Sequence, residues 1–598
     1  MVYSLLIAVR LSGYQMKLRK FILIFILSIF CVAIYFGLLN RNYPDNNTLL
    51  INDTNNMSSF LTDPFLQLPT SDSVNVVWFT EFSGNNHWVL YGNELDNKIT
   101  ATTTKLSRIR EDEESKSEPR YQQLTERNIW RHEAKITGLK PGQQVKYKVL
   151  SVHETKAIES REFTLACKPN SGVPLKILLT SDHQLMPMTA ANLQKVVETI
   201  GAVDAVFFAG DLVNFPDRAS EWFDDVRGGA FFPVLQGKAS YRLEKNGTST
   251  TYKGGAIIQN APLFTALGNH EVMGRYSTEK PINRQFYDAV PRSSLSTAET
   301  ASIASTKNNS FNVDTYEEIF TLPQSKPGGE KYYAVTFGDI RLISLYVTNI
   351  WRFPEFGDRE LPARYAESPT DFNNPENWGY GQHIFEPIAK GSQQYRWLEA
   401  ESQSDEFQQA KYKIVMFHHP PHTLGGNIVP PYTNPQQAIE RDENNNITAI
   451  TYDYPIENDY IIRDLIPLLE TAGVQFVYYG HSHLWNRFQS NSGMHFLESS
   501  NVGNSYGAHT ADNLRSVPPN DPNNIAVGNP NGLEPIMPNI DPIKDETGNS
   551  LPYIASNDIT VFSILDTVRG SVSSYRFDTR DPDSQVIKFD EFFLTTNE

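Results

Sequence analysis

The chain has 598 residues, a formal net charge of −17 and two cysteines, with a pI of about 5.3. That length exceeds one ordinary hydrophobic core, so two or more domains are expected. The acidic balance, with no dense Lys/Arg run beyond the extreme N-terminus, excludes nucleic-acid binding through a basic face, and two cysteines exclude a disulfide framework.

In chain order, the first feature is FILIFILSIFCVAIYFGLL, residues 21–39, which contains no charge and is long enough to cross a hydrocarbon core of about 30 Å as a helix. Arg10, Lys17, Arg19 and Lys20 precede it and only Arg41 follows closely. The positive-inside rule therefore reads 1–41 as a cytoplasmic n-region plus transmembrane signal-anchor, with the rest of the chain extracytoplasmic, periplasmic or extracellular. A cleaved signal peptide, which would release a secreted protein, and a buried core helix are the alternatives. The long apolar run, the basic flank and the lack of a nearby small-x-small cleavage site favour the anchor. Residues 42–70 turn polar and Asn-rich and read as a flexible linker.

Residues 71–168 show strand signals: VNVVWFT, HWVLYG and HEAKITGLKPGQQVKYKVL are rich in β-branched and aromatic residues around turn punctuation, which predicts a β-sandwich. The charged run IREDEESKSEPR from Ile109 reads as a solvated loop. From residue 174 to 598 the rhythm changes to α/β. LKILLT, DAVFFAGDLV, APLFTALGNHE, RLISLYVT, YKIVMFHHPP and VQFVYYGHSH read as buried strands. Leu193, Val196, Val197 and Ile200 set an amphipathic helix between the first two. Surface insertions are expected near 275–330 and 510–550. Further strands follow at DITVFSIL and SQVIKFDEFFL.

Five short stretches fall where predicted strands end: SDHQ (Ser181–Gln184), GDLVN (Gly210–Asn214), GNHE (Gly268–Glu271), FHHPP (Phe417–Pro421) and GHSH (Gly480–His483). In open α/β folds functional side chains lie in the loops at the carboxyl ends of strands. Alone, each Asp or His there is a turn former or a cap. Together they supply imidazole, carboxylate and amide ligands without thiolate, a set suited to Mn, Fe or Zn. An acidic protein that handles an anionic substrate needs such a positive centre. A carboxylate between two ions can bridge them, and two ions can clamp the attacking and leaving oxygens of a displacement at phosphorus.

This pattern resembles the calcineurin-like metallophosphoesterase superfamily, whose signature runs D-x-H, GD, GNH[DE], H and GHxH. Residues 71–168 resemble the fibronectin-III-like N-terminal domain of purple acid phosphatases, through the H-x-A-x-I-x-x-L-x-P-G stretch. The resemblance implies a four-layer αββα sandwich preceded by a fibronectin-III-like domain. It further implies a phosphoester hydrolase that uses a hydroxide held by two divalent or trivalent ions, with phosphomonoesters as the substrate class. The alternatives are a phosphodiesterase or nucleotidase with the same site, or a non-catalytic surface scaffold. Carried over by residue, Asp182 binds the first metal with His483, Asp211 bridges, Asn269, His418 and His481 bind the second, and His270 is the general acid. His418 is preferred to His419 because it stands two residues before Pro420. Two departures stand out. Gln184 replaces the signature His and offers only a neutral oxygen, with His183 pointing elsewhere. Asn214 replaces the Tyr of purple acid phosphatases, which implies a colourless enzyme. Asn214 and Arg487 are candidate substrate contacts, Arg487 because its fork matches phosphate geometry; His422, Trp485 and Asn486 flank the ligands.

Overall fold

The computed structural model describes residues 60–352, 364–425, 427, 430–509, 534–535 and 540–595. The expected membrane span 21–39 lies outside them, as does most of the insertion expected near 510–550. No helix among the described residues is long and apolar enough to cross a membrane.

The N-terminal part is a two-sheet sandwich, as the strand pattern predicts. One sheet has the order β1 (Phe65–Gln67), β2 (Ser73–Thr80), β6 (Trp130–Thr137), β5 (Thr102–Lys105). The other has the order β8 (Lys156–Glu159), β7 (Val145–His153), β3 (Asn86–Tyr91), β4 (Asn97–Thr100), with β9 (Phe163–Leu165) paired to β7. All pairings are antiparallel. The period of two in VNVVWFT sorts its side chains: Val74, Val76 and Trp78 fill the sandwich core, while Val77 and Phe79 face the next domain. The linker expected to reach residue 70 is corrected here. Phe65–Gln67 is a fully buried strand, because Phe65 packs on Phe232 with ring centroids 5.1 Å apart.

The following domain is built on two sheets. The six-stranded sheet has the order β12 (Leu263–Thr265), β11 (Ala205–Phe208), β10 (Lys176–Thr180), β21 (Ile559–Asp566), β22 (Ser571–Asp578), β23 (Ile587–Phe593), with β10, β11 and β12 parallel. The eight-stranded sheet begins β13 (Tyr333–Phe337), β14 (Ile340–Ser344), β17 (Tyr412–Met416), β18 (Phe476–Tyr479), β20 (His495–Ser499), β19 (Trp485–Gln489). Strands β14, β17, β18 and β20 in it are parallel. Side-chain alternation again divides the faces. Leu342, Ile414, Met416, Phe476 and Tyr478 join the core shared with the first sheet. Ile343, Val415, Val477 and Tyr479 pack with α2 (Gln393–Glu401), α3 (Asp405–Gln409) and α4 (Ile466–Ala472). Helix α1 (Thr189–Ile200) covers the first sheet through Leu193 and Val196. A two-stranded ribbon, β15 (Asn349–Trp351) with β16 (Gln382–Ile384), stands beside the second sheet in the sequence.

Sandwich and α/β domain belong to one compact unit, Ser58–Glu598. The run from Ile109 is solvated only in part: Glu113, Glu114, Lys116 and residues 118–120 are exposed as expected, but its first four residues form the interface of the two domains. Arg110 is 5% exposed and Glu111 fully buried. Arg110 pairs with Asp217 at 2.9 Å, Asp112 with Arg218 at 3.0 Å, and Glu111 accepts from the backbone and hydroxyl of Ser220 at 2.8 and 3.0 Å. Paired and hydrogen-bonded, these charges tolerate burial that isolated charges do not. The insertion expected near 275–330 is likewise partly core. Tyr316, on the short helix Asp314–Ile319, is buried with its hydroxyl 2.6 Å from Thr265 Oγ1.

Candidate metal centre

Parallel strands release their connections at one edge, so both sheets deliver the five motifs to the same place. β10 runs into Asp182, β11 into Asp211, β12 into Asn269 and His270, β17 into His418, and β18 into His481 and His483. The backbone there is forced: Asp182, Gln184, Asp211, His481 and His483 take φ of 54, 42, 59, 80 and 55°. Left-handed non-glycine residues cost on the order of 1 kcal/mol each and gather at functional sites. Gly210, at φ 91°, is required as glycine, since a Cβ there would lie 2.6 Å from the Gly268 nitrogen and 2.9 Å from His418 Nδ1.

The side chains converge. Asp211 Oδ2 is 3.1 Å from His418 Nε2, and that nitrogen is 3.1 Å from His481 Nδ1. Asp182 Oδ1 is 3.3 Å from His483 Nε2. Ligand atoms of Asp182, Asp211 and His418 all lie within 4.8 Å of one another. Bonds of about 2.0–2.2 Å to a shared ion put neighbouring ligand atoms about 3 Å apart, which is the spacing found. Two buried amide oxygens at the cluster also lack any partner in the protein: Gln184 Oε1 and Asn269 Oδ1. Buried polar atoms are almost always satisfied, so these orphans fit an ion. The donor set of carboxylates, imidazoles and amide oxygens fits Mn, Fe or Zn.

The surroundings orient these ligands. His418 Nδ1 donates to the Ala209 carbonyl at 2.7 Å and His483 Nδ1 to Asn504 Oδ1 at 2.5 Å, which leaves each Nε2 lone pair directed inward. Burial, together with the neighbouring His419, His418 and His483, pushes the His481 imidazole well below its ordinary pKa and so keeps it neutral. Burial works against the charge of Asp211, but His418 and His270 outweigh it and hold the carboxyl below its usual range. His270 Nδ1 donates to the Asn214 carbonyl at 2.8 Å, and its ring stacks on Phe286 with centroids 5.1 Å apart. His270 also lines the cavity above the ligands, of about 440 Å³.

Two buried carboxylates that the sequence reading left without a role hold the ligand loops. Glu271 accepts from the backbone N–H groups of Asp211, Leu212 and Gly268 at 2.9, 2.8 and 2.7 Å. Glu498 accepts from Ser482 N at 2.9 Å, between the two His of GHSH, and from His422 and Asn486. A carboxylate inside the apolar strand HFLES was the available signal for the second.

Not every candidate reaches the centre. His183 does point elsewhere: its Nε2 is 2.8 Å from Thr180 Oγ1, it is packed against Phe208, and burial lowers its pKa to about 3. His419 brings a nitrogen within 4.8 Å of those of His418 and His481. Its ring stacks on His481 at 3.8 Å and 26°, and both its nitrogens are buried without a partner. Asn214 directs its amide to the Gln184 carbonyl at 2.7 Å; it positions Gln184 and His270 in place of the substrate contact expected. Arg487 is the clearest correction. Its guanidinium is 3% exposed and paired two-pronged with Asp590 at 2.7 and 2.9 Å, because a fork that matches phosphate matches a carboxylate equally well. His422 and Asn486 are tied to Glu498, and Trp485 to Ser574. Arg487→Met is therefore expected to remove the guanidinium from beside a buried Asp590 and destabilise the fold by about 3–5 kcal/mol in urea unfolding. The kcat/KM per folded molecule should stay unchanged.

Comparison with known proteins agrees with this geometry. Residues 175–484, more than half of the chain, match the family model for calcineurin-like phosphoesterase. Residues 62–165 match that for the purple acid phosphatase N-terminal domain. No curated protein matches. Among solved structures, the chain is similar to the purple acid phosphatase PPD1 isolated from yellow lupin (Lupinus luteus) seeds. The two are 14% identical over 88% of this chain and 73% of that one, with a TM-score of 0.49 that carries no argument by itself. A phosphoesterase match that begins just before the first ligand loop and ends just after the last leaves one conclusion: the chain belongs to the calcineurin-like phosphoesterase family and is a metal-dependent hydrolase of phosphoester bonds.

Proposed function

We propose that the protein hydrolyses phosphate monoesters at a dinuclear centre. Asp182, Gln184 and His483 would hold one ion and Asn269, His418 and His481 the other, with the Asp211 carboxylate available to both. The observation that carries this reading is the place of Asp211: its carboxylate lies against His418 on one side and in the cluster with Asp182 on the other, buried and, among the described residues, with only histidines as cationic neighbours. Two ions of Mn, Fe or Zn, when bound, supply Lewis acidity toward the phosphoryl oxygens and an activated water.

The chain's own groups do the rest. Asp211 Oδ1 accepts the His270 backbone N–H at 2.9 Å, which fixes the imidazole relative to the bridge. With Nδ1 held by the Asn214 carbonyl, protonated His270 presents Nε2–H to the cavity, where it hydrogen-bonds a phosphoryl oxygen and protonates the departing alkoxide. Gln184 would offer its ion a neutral amide oxygen, a weaker donor than the imidazole it replaces. Asn214 brings no phenolate to either ion, so the loaded protein is colourless.

The experiment is His270→Gln on metal-loaded protein. The expected outcome is a loss of about 10²–10⁴-fold in kcat, with metal content and Tm unchanged. A kcat within about twofold of the parent removes the acid role.

We also place the catalytic domain outside the cytoplasm on the anchor 21–39. The support is the 19-residue uncharged run and its basic N-terminal flank. Protease added to intact cells should degrade the domain; protection until lysis would count against this placement.

A further inference from the structure

Beyond the ligands and His270, the cavity is walled by aromatic rings and carboxamides. Phe286 and Tyr287 form one side, their rings at 80° to each other, and Tyr506 forms another, stacked on His483 at 4.1 Å. The floor comes from Asn349 and Gln382 on the β15–β16 ribbon, with Asn427 near His481. Among the described lining residues there is no Lys or Arg. The cations on the adjoining segments, Arg275 and Arg352, are both paired with Asp288, at 2.7 and 2.8 Å.

Two amide oxygens decide what this space accepts. Gln382 is 1% exposed; its Nε2 donates to Asn349 Oδ1 at 2.7 Å, and its Oε1 is buried without a partner. Asn427 Nδ2 donates to the His481 carbonyl at 2.6 Å. A carbonyl only accepts, so that bond fixes the amide orientation and leaves Oδ1 as the second buried, unpartnered acceptor. An unmet buried acceptor costs free energy that a ligand donor recovers. A second phosphate would bring only more acceptors, with no Lys or Arg among the described lining residues to offset them.

We infer that the alcohol portion of the substrate is an uncharged ring carrying N–H or O–H donors. The ring lies against the aromatic walls, the donors meet Gln382 Oε1 and Asn427 Oδ1, and leaving groups bearing further phosphates are selected against. This rests on the hydrolase reading above and narrows its substrate class.

The probes are adenosine 5′-monophosphate, adenosine 5′-triphosphate and p-nitrophenyl phosphate, with metal-loaded protein. Wild type should show a kcat/KM for the monophosphate at least about tenfold above that for the triphosphate. Gln382→Leu and Asn427→Leu, made separately, should each lower the ratio of adenosine monophosphate to p-nitrophenyl phosphate kcat/KM by about tenfold or more. A triphosphate cleaved as well as the monophosphate, or a ratio unmoved in both variants, overturns the inference while leaving the hydrolase reading in place. The wild-type comparison stands even if a variant fails to fold. Hydrolysis of none of the three probes by wild type would instead remove the hydrolase reading itself.

Discussion

Asp211→Asn should lower hydrolysis of p-nitrophenyl phosphate by about 10³-fold or more, equivalent to about 4 kcal/mol of transition-state stabilisation. The substitution keeps shape and removes charge. Asparagine Oδ1 still accepts the His270 backbone N–H now held at 2.9 Å, so circular dichroism and Tm should be close to the parent. What is lost is the anionic oxygen beside His418, the one carboxylate placed to touch both halves of the ligand cluster. Metal content should fall from two ions to one or none. Activity within about tenfold of wild type would mean that the chemistry does not pass through this carboxylate.

Glu271→Ala should be the most damaging single change to stability near the site. The wild-type carboxylate is fully buried and is the acceptor for three backbone N–H groups, of Asp211, Leu212 and Gly268. Truncation leaves three buried donors unmet, each costing about 1–3 kcal/mol, so a loss of about 3–5 kcal/mol is expected after partial relaxation. The two loops it ties together carry Asp211 and Asn269, so metal affinity should fall with stability. Urea unfolding and metal titration check the two effects together. A stability within about 1 kcal/mol of wild type would show that water replaces the carboxylate at no net cost.

The ligand loops were legible because catalysis at phosphorus demands particular residue types directly after parallel strands, and sequence order preserves that adjacency. Asp182, Asp211, His418, His481 and His483 lie close together at the strand ends. The strand and helix periods were also readable, down to the division of Val76 and Val77 between two cores. What failed depended on partners far away in the chain. Arg487 looked like a phosphate fork, but its carboxylate stands 103 residues later at Asp590. At the start of the charged run from Ile109, Arg110 and Asp112 looked solvated because Asp217 and Arg218, which neutralise them, lie 107 and 106 residues on. Glu271 and Glu498 were passed over for a related reason. A buried carboxylate that accepts backbone N–H groups has no periodic signature, and only the folded loops show what it holds.

The most direct test of the central claim is anomalous diffraction from crystals of the manganese-loaded protein. Two peaks are expected, one bounded by Asp182, Gln184 and His483 and the other by Asn269, His418 and His481, with the Asp211 carboxylate between them. A single peak, or density for manganese only away from Asp211, would contradict the dinuclear assignment.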